Sequence, residues 1–385
     1  MSDTANQPEE RGSAEVPIDP AVTRKLFLEW RSPRFGSANP KRMNNPVWEW
    51  LVKSGISAYG ATQRLKGPSA MDAGPGWCFV RFGQSSTPLP DGRVVLIAGE
   101  HEDSYDPDFY IYNDVVVRHP DGRIDIFGYP RTVFPPTDSH SATLVSNRIV
   151  MIGNLGYPEE RHPGKSPVRI LDLETFAITE MQTSGTPPGW VHGHKVTLSE
   201  DGSSILLSGG KLERGGKEGT LVENIDDWRL HLSDWRWERL TERRWLRWEV
   251  RRQDGEMNHL FAFRQAVMTK QIAGFAKANK ELAKLQKNLG IPSLEEELGR
   301  PPDLDLFAKR YRPPLDHEVL PQPIEEFDVH RIKVGGIIVR YVEDMHSVQL
   351  TVEGDLPQET VADLKRDLVD KLSMLENAPF ELIKL

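Results

Sequence analysis

The chain has 385 residues, a formal net charge of −9, 38% hydrophobic residues and 27% charged residues. No apolar run reaches the roughly 18 residues that a membrane span needs, and the acidic balance makes nucleic acid an unfavoured partner. The single cysteine, Cys78, excludes an internal disulfide and a multi-cysteine zinc site, and sets cytoplasmic residence as the default expectation.

Residues 1–20 are acidic and Pro-rich without an apolar core, and read as a disordered tail rather than a signal peptide. Residues 21–76 read as a helical segment. Its first helix is amphipathic over 21–30. A second starts at Asn45, the N-cap, with Pro46 in the first helical position and Trp48, Leu51 and Val52 on one face. "GPSAMDAGPG" is a linker.

Between residues 77 and 250 one rhythm occurs three times: a polar lead-in, a short apolar strand, a turn, a strand ending in Gly, a loop, and two more strands. Thr87, Thr143 and Thr197 share one position, and Gly99, Gly153 and Gly209 share another, 54 and 56 residues apart. Periods near 50 residues indicate propeller blades. "PDGR", "SNR" and "EDGS" form the first turns, and "HPDGR", "DLETF" and "LSDWR" the last ones. The second strands, "VVLIAG", "IVMIG" and "ILLSGG", are nearly continuous apolar runs, the pattern of strands buried on both faces.

Beyond the repeats, the pattern predicts a long helix over 256–290, with Phe261, Ala262, Ala266, Ile272, Phe275, Leu282 and Leu285 as apolar positions. A Pro-rich connector covers 291–323. Residues 324–385 read as a small α+β domain: strands near 325–333, 335–343 and 346–353, a helix from Pro357, and a last strand "FELIKL".

The triplicate pattern resembles the Kelch repeat of Kelch and galactose-oxidase-type β-propellers. The resemblance rests on the His-x-x-Thr lead-ins at His140 and His194, the terminal glycines, "DLET" with Phe176, and the strand carrying Trp235 and Trp237. It departs at Gln84, which replaces the lead-in His in the first copy, and at Gly153-Asn154 in place of Gly-Gly. The fold class it implies is mainly β: a Kelch-like propeller or partial propeller of four-stranded blades, with flanking helices and the small C-terminal α+β domain. Three legible copies leave a closed ring, an open arc capped by the flanking segments, and pairing with another chain all open.

Connections 100–114, 154–167 and 211–224 join the second and third strands of successive copies, so they are expected to be neighbours and to carry function. The binding candidates on them are Glu100, His101, Asp103, Asp106, Asp108, Tyr157, Glu159, Arg161, Lys211, Arg214 and Lys217, with His192 beside them. No catalytic residue is assigned and no cofactor is expected. The alternative is a divalent metal held by Asp106, Asp108, His192 and His194, giving a metal-dependent enzyme or ligand-binding propeller; His194, a repeat position, more simply makes a repeat-wide hydrogen bond. A copper site of the galactose-oxidase type would draw on Cys78 with Tyr105, Tyr110 or Tyr112. The Trp- and Arg-rich stretch 228–252 suits packing between blades or a protein interface better than nucleic acid. The leading expectation is a non-enzymatic scaffold that presents its blade loops to a protein partner, with a homo- or hetero-oligomeric assembly as a further alternative.

Overall fold

A computed structural model describes residues 17–103, 106–215, 221–270, 294–322, 326 and 328–385. The chain is mainly β, with several antiparallel sheets and flanking helices, and divides into two compact units, Met1–Glu242 and Arg243–Leu385.

The N-terminal unit begins with helices Arg24–Trp30, Pro46–Ser54, Ala58–Leu65 and Ala70–Ala73. Asn45 caps the second as expected, its side chain accepting from Trp48 N–H with Pro46 in the first turn. That helix is buried nearly all round. Trp48 stacks on Trp77 with ring centroids 4.6 Å apart, and its indole N–H donates to Trp30 O at 2.6 Å. The helical layer covers one face of the first repeat, where it meets Leu96, Val116, Ile124 and Ile126.

Each of the three copies folds into a four-stranded antiparallel meander. The first comprises Ser85–Pro88, Val94–Ile97, Asp114–Arg118 and Ile124–Gly128; the second Ser141–Val145, Arg148–Ile152, Val168–Asp172 and Ile178–Glu180; the third Lys195–Leu198, Ser204–Ser208, Trp228–His231 and Arg236–Arg239. Their first strands are neighbours in chain order. Alternation within each strand sends successive side chains to opposite faces, so a middle sheet must be apolar on both. Val95, Ile97, Val115 and Val117 of the first sheet pack against Ile149, Met151 and Leu171 of the second. Val150, Ile152 and Val168 on its reverse pack against Ile205, Leu207, Leu230 and Trp237 of the third. Trp228 is buried in that same cluster and Trp235 packs against it, so this part of the Trp-rich stretch is packing.

The third sheet departs from the two-sided burial expected of it. Its outer face carries Lys195, Thr197, Ser208, Arg229, His231, Arg236 and Glu238, with His231 and Glu238 paired at 2.9 Å, and only Leu206 is apolar. "SILLS" is thus a half-buried strand. A polar outer face is what ends a stack of repeats.

The lead-in histidines link one copy to the one before it. His140 Nε2 lies 2.9 Å from Ser85 Oγ, and His194 Nε2 lies 2.9 Å from Ser141 Oγ. Gln84, at the equivalent position of the first copy, instead donates to Ala98 O at 3.2 Å. Gly153 and Gly210, both at positive φ, keep this passage open: a Cβ on either would stand within 2.8 Å of the His194 side chain. The outer edges are also managed. Lys41–Arg42 pairs with the last strand of the first sheet, and Ser184–Gly185 with that of the third. On the second, the Asn39 side chain accepts from Ile178 N–H and donates to Ile178 O, each at 2.8 Å, in place of a strand.

The C-terminal unit is built on a six-stranded sheet in the order Glu318–Val319, Val329–Val334, Ile337–Glu343, Ser347–Val352, Leu246–Arg252, Phe380–Lys384. Helix Gln358–Glu376 lays Val361, Leu364, Leu368 and Leu372 on it. Leu246–Arg252, placed by sequence at the end of the repeats and beyond them, is a central strand here: Trp248 and Val250 join the core under the helix while charged residues alternate on the other face. The long helix expected over 256–290 is observed as His259–Thr269, closed by Lys270 at positive φ; Ile272, Phe275, Leu282 and Leu285 lie outside the described residues. Glu376 accepts from His259 N–H at 2.9 Å and Leu260 N–H at 3.0 Å, and so satisfies its first turn. Nearby, the Glu343 carboxylate is fully buried among Arg264, Arg310 (2.6 Å), Tyr311 and His330.

Candidate functional site

The three connections gather at one end of the N-terminal unit, as their topology requires. Two of them are β-ribbons instead of loops. Glu100–Asp103 pairs with Asp106–Ile111, and Lys211–Glu213 pairs with Leu221–Glu223 and with Trp190–His192. The middle one, 154–167, carries only the turn Pro158–Glu160. Side chains tie the three together. Ile111 N–H donates to Tyr157 Oη at 3.0 Å, and Phe109 meets the Tyr157 ring edge-on at 5.9 Å. Arg161 holds its own loop by donating to Leu155 O (3.1 Å) and Gly156 O (3.2 Å), and reaches Glu213 on the next connection at 3.2 Å. Phe82 and Phe109 stand exposed on this side.

Beneath the connections, Asp138 is the organising side chain. Its Oδ1 accepts from Gly156 N–H at 2.8 Å and its Oδ2 from Ser139 Oγ at 3.1 Å, while Asn154 Oδ1 accepts from Asp138 N–H at 2.9 Å. Burial raises the Asp138 carboxyl above its ordinary range against those hydrogen bonds. Burial raises Glu100 as well, and the Asp138 charge adds to the effect. His192 is pushed down to about 4, first by burial and then by the Lys211 and Arg161 charges, so it is neutral at pH 7.

His101 behaves in the opposite way. Nδ1 lies 2.9 Å from Val80 O and Nε2 3.3 Å from Asp108 Oδ2. Burial opposes its charge, but the Cys78 side chain, the Asp108 carboxylate and the Val80 carbonyl outweigh it and raise the imidazole to about 9. Cys78 itself is buried, and the Tyr112 phenol beside it is engaged with backbone, accepting from Cys78 N–H at 2.9 Å and donating to Gly76 O at 3.0 Å. Next to them Arg81 and Asp114 form a buried pair, Nη2 to Oδ2 at 3.0 Å, with the Trp77 indole N–H also donating to Asp114 at 2.8 Å.

The expected binding residues therefore divide. Glu100, Tyr157, Glu159, Arg161, Lys211 and Arg214 are at least partly accessible on the face. His101, Asp108 and His192 are buried and act beneath it, because the ribbons fold their alternate side chains inward. The side chains of Asp103 and Asp106, and Lys217 and Tyr105 altogether, lie outside the described residues. Of the alternative metal set, Asp108 lies against His101 and His194 against Ser141, the Asp106 side chain is outside the described residues, and among the described residues no three His, Cys, Asp or Glu side chains are grouped to hold a metal ion. Asp138 and Glu213 escaped the sequence reading. Asp138 stands two residues ahead of the lead-in His140, a position that the repeat alignment could have flagged.

No protein-family model matches the chain, and no curated protein matches it in sequence. Among solved structures, one titled "Structure of YjhT" aligns at a TM-score of 0.32 and 13% identity, covering 43% of this chain and 52% of that one. The chain thus spans about half the length of that protein, and a likeness at this level carries no argument about fold or function.

Proposed function

We propose that the N-terminal unit is a Kelch-like, propeller-type repeat module that serves as a non-enzymatic, cytoplasmic scaffold and binds a protein partner through the face made by its three inter-strand connections. The three four-stranded meanders with adjacent first strands support the repeat reading, and so does the His–Ser link repeated between copies. The observation that carries the binding reading is the cross-linking of the three connections through Tyr157 and Arg161, with exposed Phe82 and Phe109 beside them. A fixed surface with exposed aromatics loses little conformational entropy on association and supplies apolar anchors.

The test is photo-crosslinking in cells from a benzoylphenylalanine at position 109, with position 374, an exposed methionine on the helix of the C-terminal unit, as the control site. A discrete protein adduct at 109 that is absent at 374 and lost on Tyr157→Ala is expected. No adduct, or the same adducts from both positions, refutes the proposal.

A further inference from the structure

The second sheet contains a side chain that its strand does not account for. Arg169 occupies the second position of Val168–Asp172, between apolar neighbours, and is only 6% exposed. Among the described residues the one hydrogen-bond partner of its guanidinium is Glu180 on the adjacent strand, Nη2 to Oε2 at a long 3.3 Å, and Nε is buried without a partner. A guanidinium has five N–H donors; here one Nη2 donor goes to Glu180 at a long distance, and leaving the desolvated Nε–H of a cation without an acceptor is unfavourable. Glu180 does not seal the pair, because 55% of its side chain is in solvent.

Arg169 forms part of the wall of a cleft of about 630 Å³, bounded by the 154–167 connection and by the segment running from Glu180 to Trp190. The other charges around it are largely settled. Arg131 and Glu160 pair with each other at 2.7 Å, and Lys165 and Glu159 stand exposed at the rim with opposite signs. The cleft therefore has no large net field. What distinguishes it is one buried guanidinium with an unfilled donor, reached past a carboxylate that is free to swing into solvent.

We propose that this cleft is a binding site for an organic acid, whose carboxylate takes the place of Glu180 on Arg169. A planar carboxylate matches the guanidinium fork with two parallel N–H···O bonds, where Glu180 supplies a single long one. Glu180, displaced, keeps its hydration, and the volume of the cleft holds the remainder of the acid. This site shares the 154–167 connection with the proposed binding face, but it takes a small acid on Arg169 rather than a protein, and the carboxylate titration tests it independently of the scaffold reading.

The test follows the Arg side-chain Nε–Hε resonances of the full ¹⁵N-labelled chain during titration with acetate and glutarate, with inorganic phosphate as the contrasting oxyanion. The Arg169 signal is assigned by its absence in Arg169→Lys. The expected result is a saturable carboxylate-dependent shift of that signal. By calorimetry Arg169→Lys should lower glutarate affinity by about tenfold or more, since the ammonium keeps the charge and loses the fork, and Glu180→Gln should tighten it several-fold by removing the internal competitor. Arg169→Met should abolish binding while retaining the fold, because an apolar chain of similar length suits this strand; if it fails to fold, Glu180→Gln still decides. No saturable shift, a response to phosphate alone, equal affinity in Arg169→Lys, or weaker binding in Glu180→Gln would overturn the proposal.

Discussion

Replacing His140 by Gln tests the link between copies with a residue that the chain already uses at the same position of its first copy. His140 is held neutral: burial, and then the Arg169 charge, depress it from 6.5 to about 4. A base whose pKa is depressed on folding contributes stability that is present above the unfolded value and lost as the pH falls toward the folded one. Here that window runs from about pH 6.5 down to about pH 4, and within it the unfolded chain takes up a proton that the native ring refuses. The slope is about 1.4 kcal/mol per pH unit, so about 2 kcal/mol is lost between pH 7 and pH 5 through this one histidine. The glutamine of His140→Gln cannot titrate. It forfeits the hydrogen bond to Ser85, a cost of about 1 kcal/mol at pH 7. The ranking should therefore invert: wild type more stable by about 1 kcal/mol at pH 7, the variant by about the same margin at pH 5. Hydrogen-exchange protection of peptides covering 85–97 and 141–152, measured at both pH values, reads this directly. Equal pH slopes for the two proteins would refute the account of His140 as a buried neutral link.

Two further perturbations address parts of the molecule that the first leaves untouched. Glu343→Gln leaves the buried Arg264 and Arg310 guanidinium groups without their shared carboxylate, and should destabilise the C-terminal unit by about 3–5 kcal/mol; exchange protection over 337–352 should fall while 141–152 is unchanged, and unaltered protection in 337–352 would contradict it. Arg161→Ala removes the tie to the buried Glu213 and two backbone carbonyls, so exchange should accelerate in 154–167 and 211–215 by about tenfold or more with the sheets still protected, as expected for a loss of about 1–3 kcal/mol confined to the connections.

What could be read from the sequence was mostly what local pattern encodes. The strand–turn–strand rhythm of each copy, the Asn45–Pro46 helix start and the helix over 358–376 all depend on residues within a few positions of one another. Packing partners were less legible. The ribbon at 100–111 read as a loop because its acidic residues masked the β-forming "DFYI" half. Leu246–Arg252 read as the end of the repeats and the stretch just beyond them because its partners, 347–352 and 380–384, are about 100 or more residues away and only the assembled sheet shows where it pairs. The buried role of His101 and Asp108 depends on Cys78 and Val80, which approach through the fold and not through spacing. Arg169 was visible all along as a cation in "PVRILDL"; its meaning required the cleft.

The links between copies also give the array a grammar. The first copy has the hydroxyl, Ser85, but Gln84 where a ring would reach backward. The third has the ring, His194, but Lys195 where a hydroxyl would receive the next one. Only the second has both, His140 and Ser141, and only its sheet is apolar on both faces without help from helices. In polymer terms the first copy is an initiator, the second a monomer and the third a terminator. Duplicating the second would lengthen the chain by one compatible unit, with every new junction already written, whereas duplicating either end would set a lysine or a glutamine at a junction that needs a serine or a histidine.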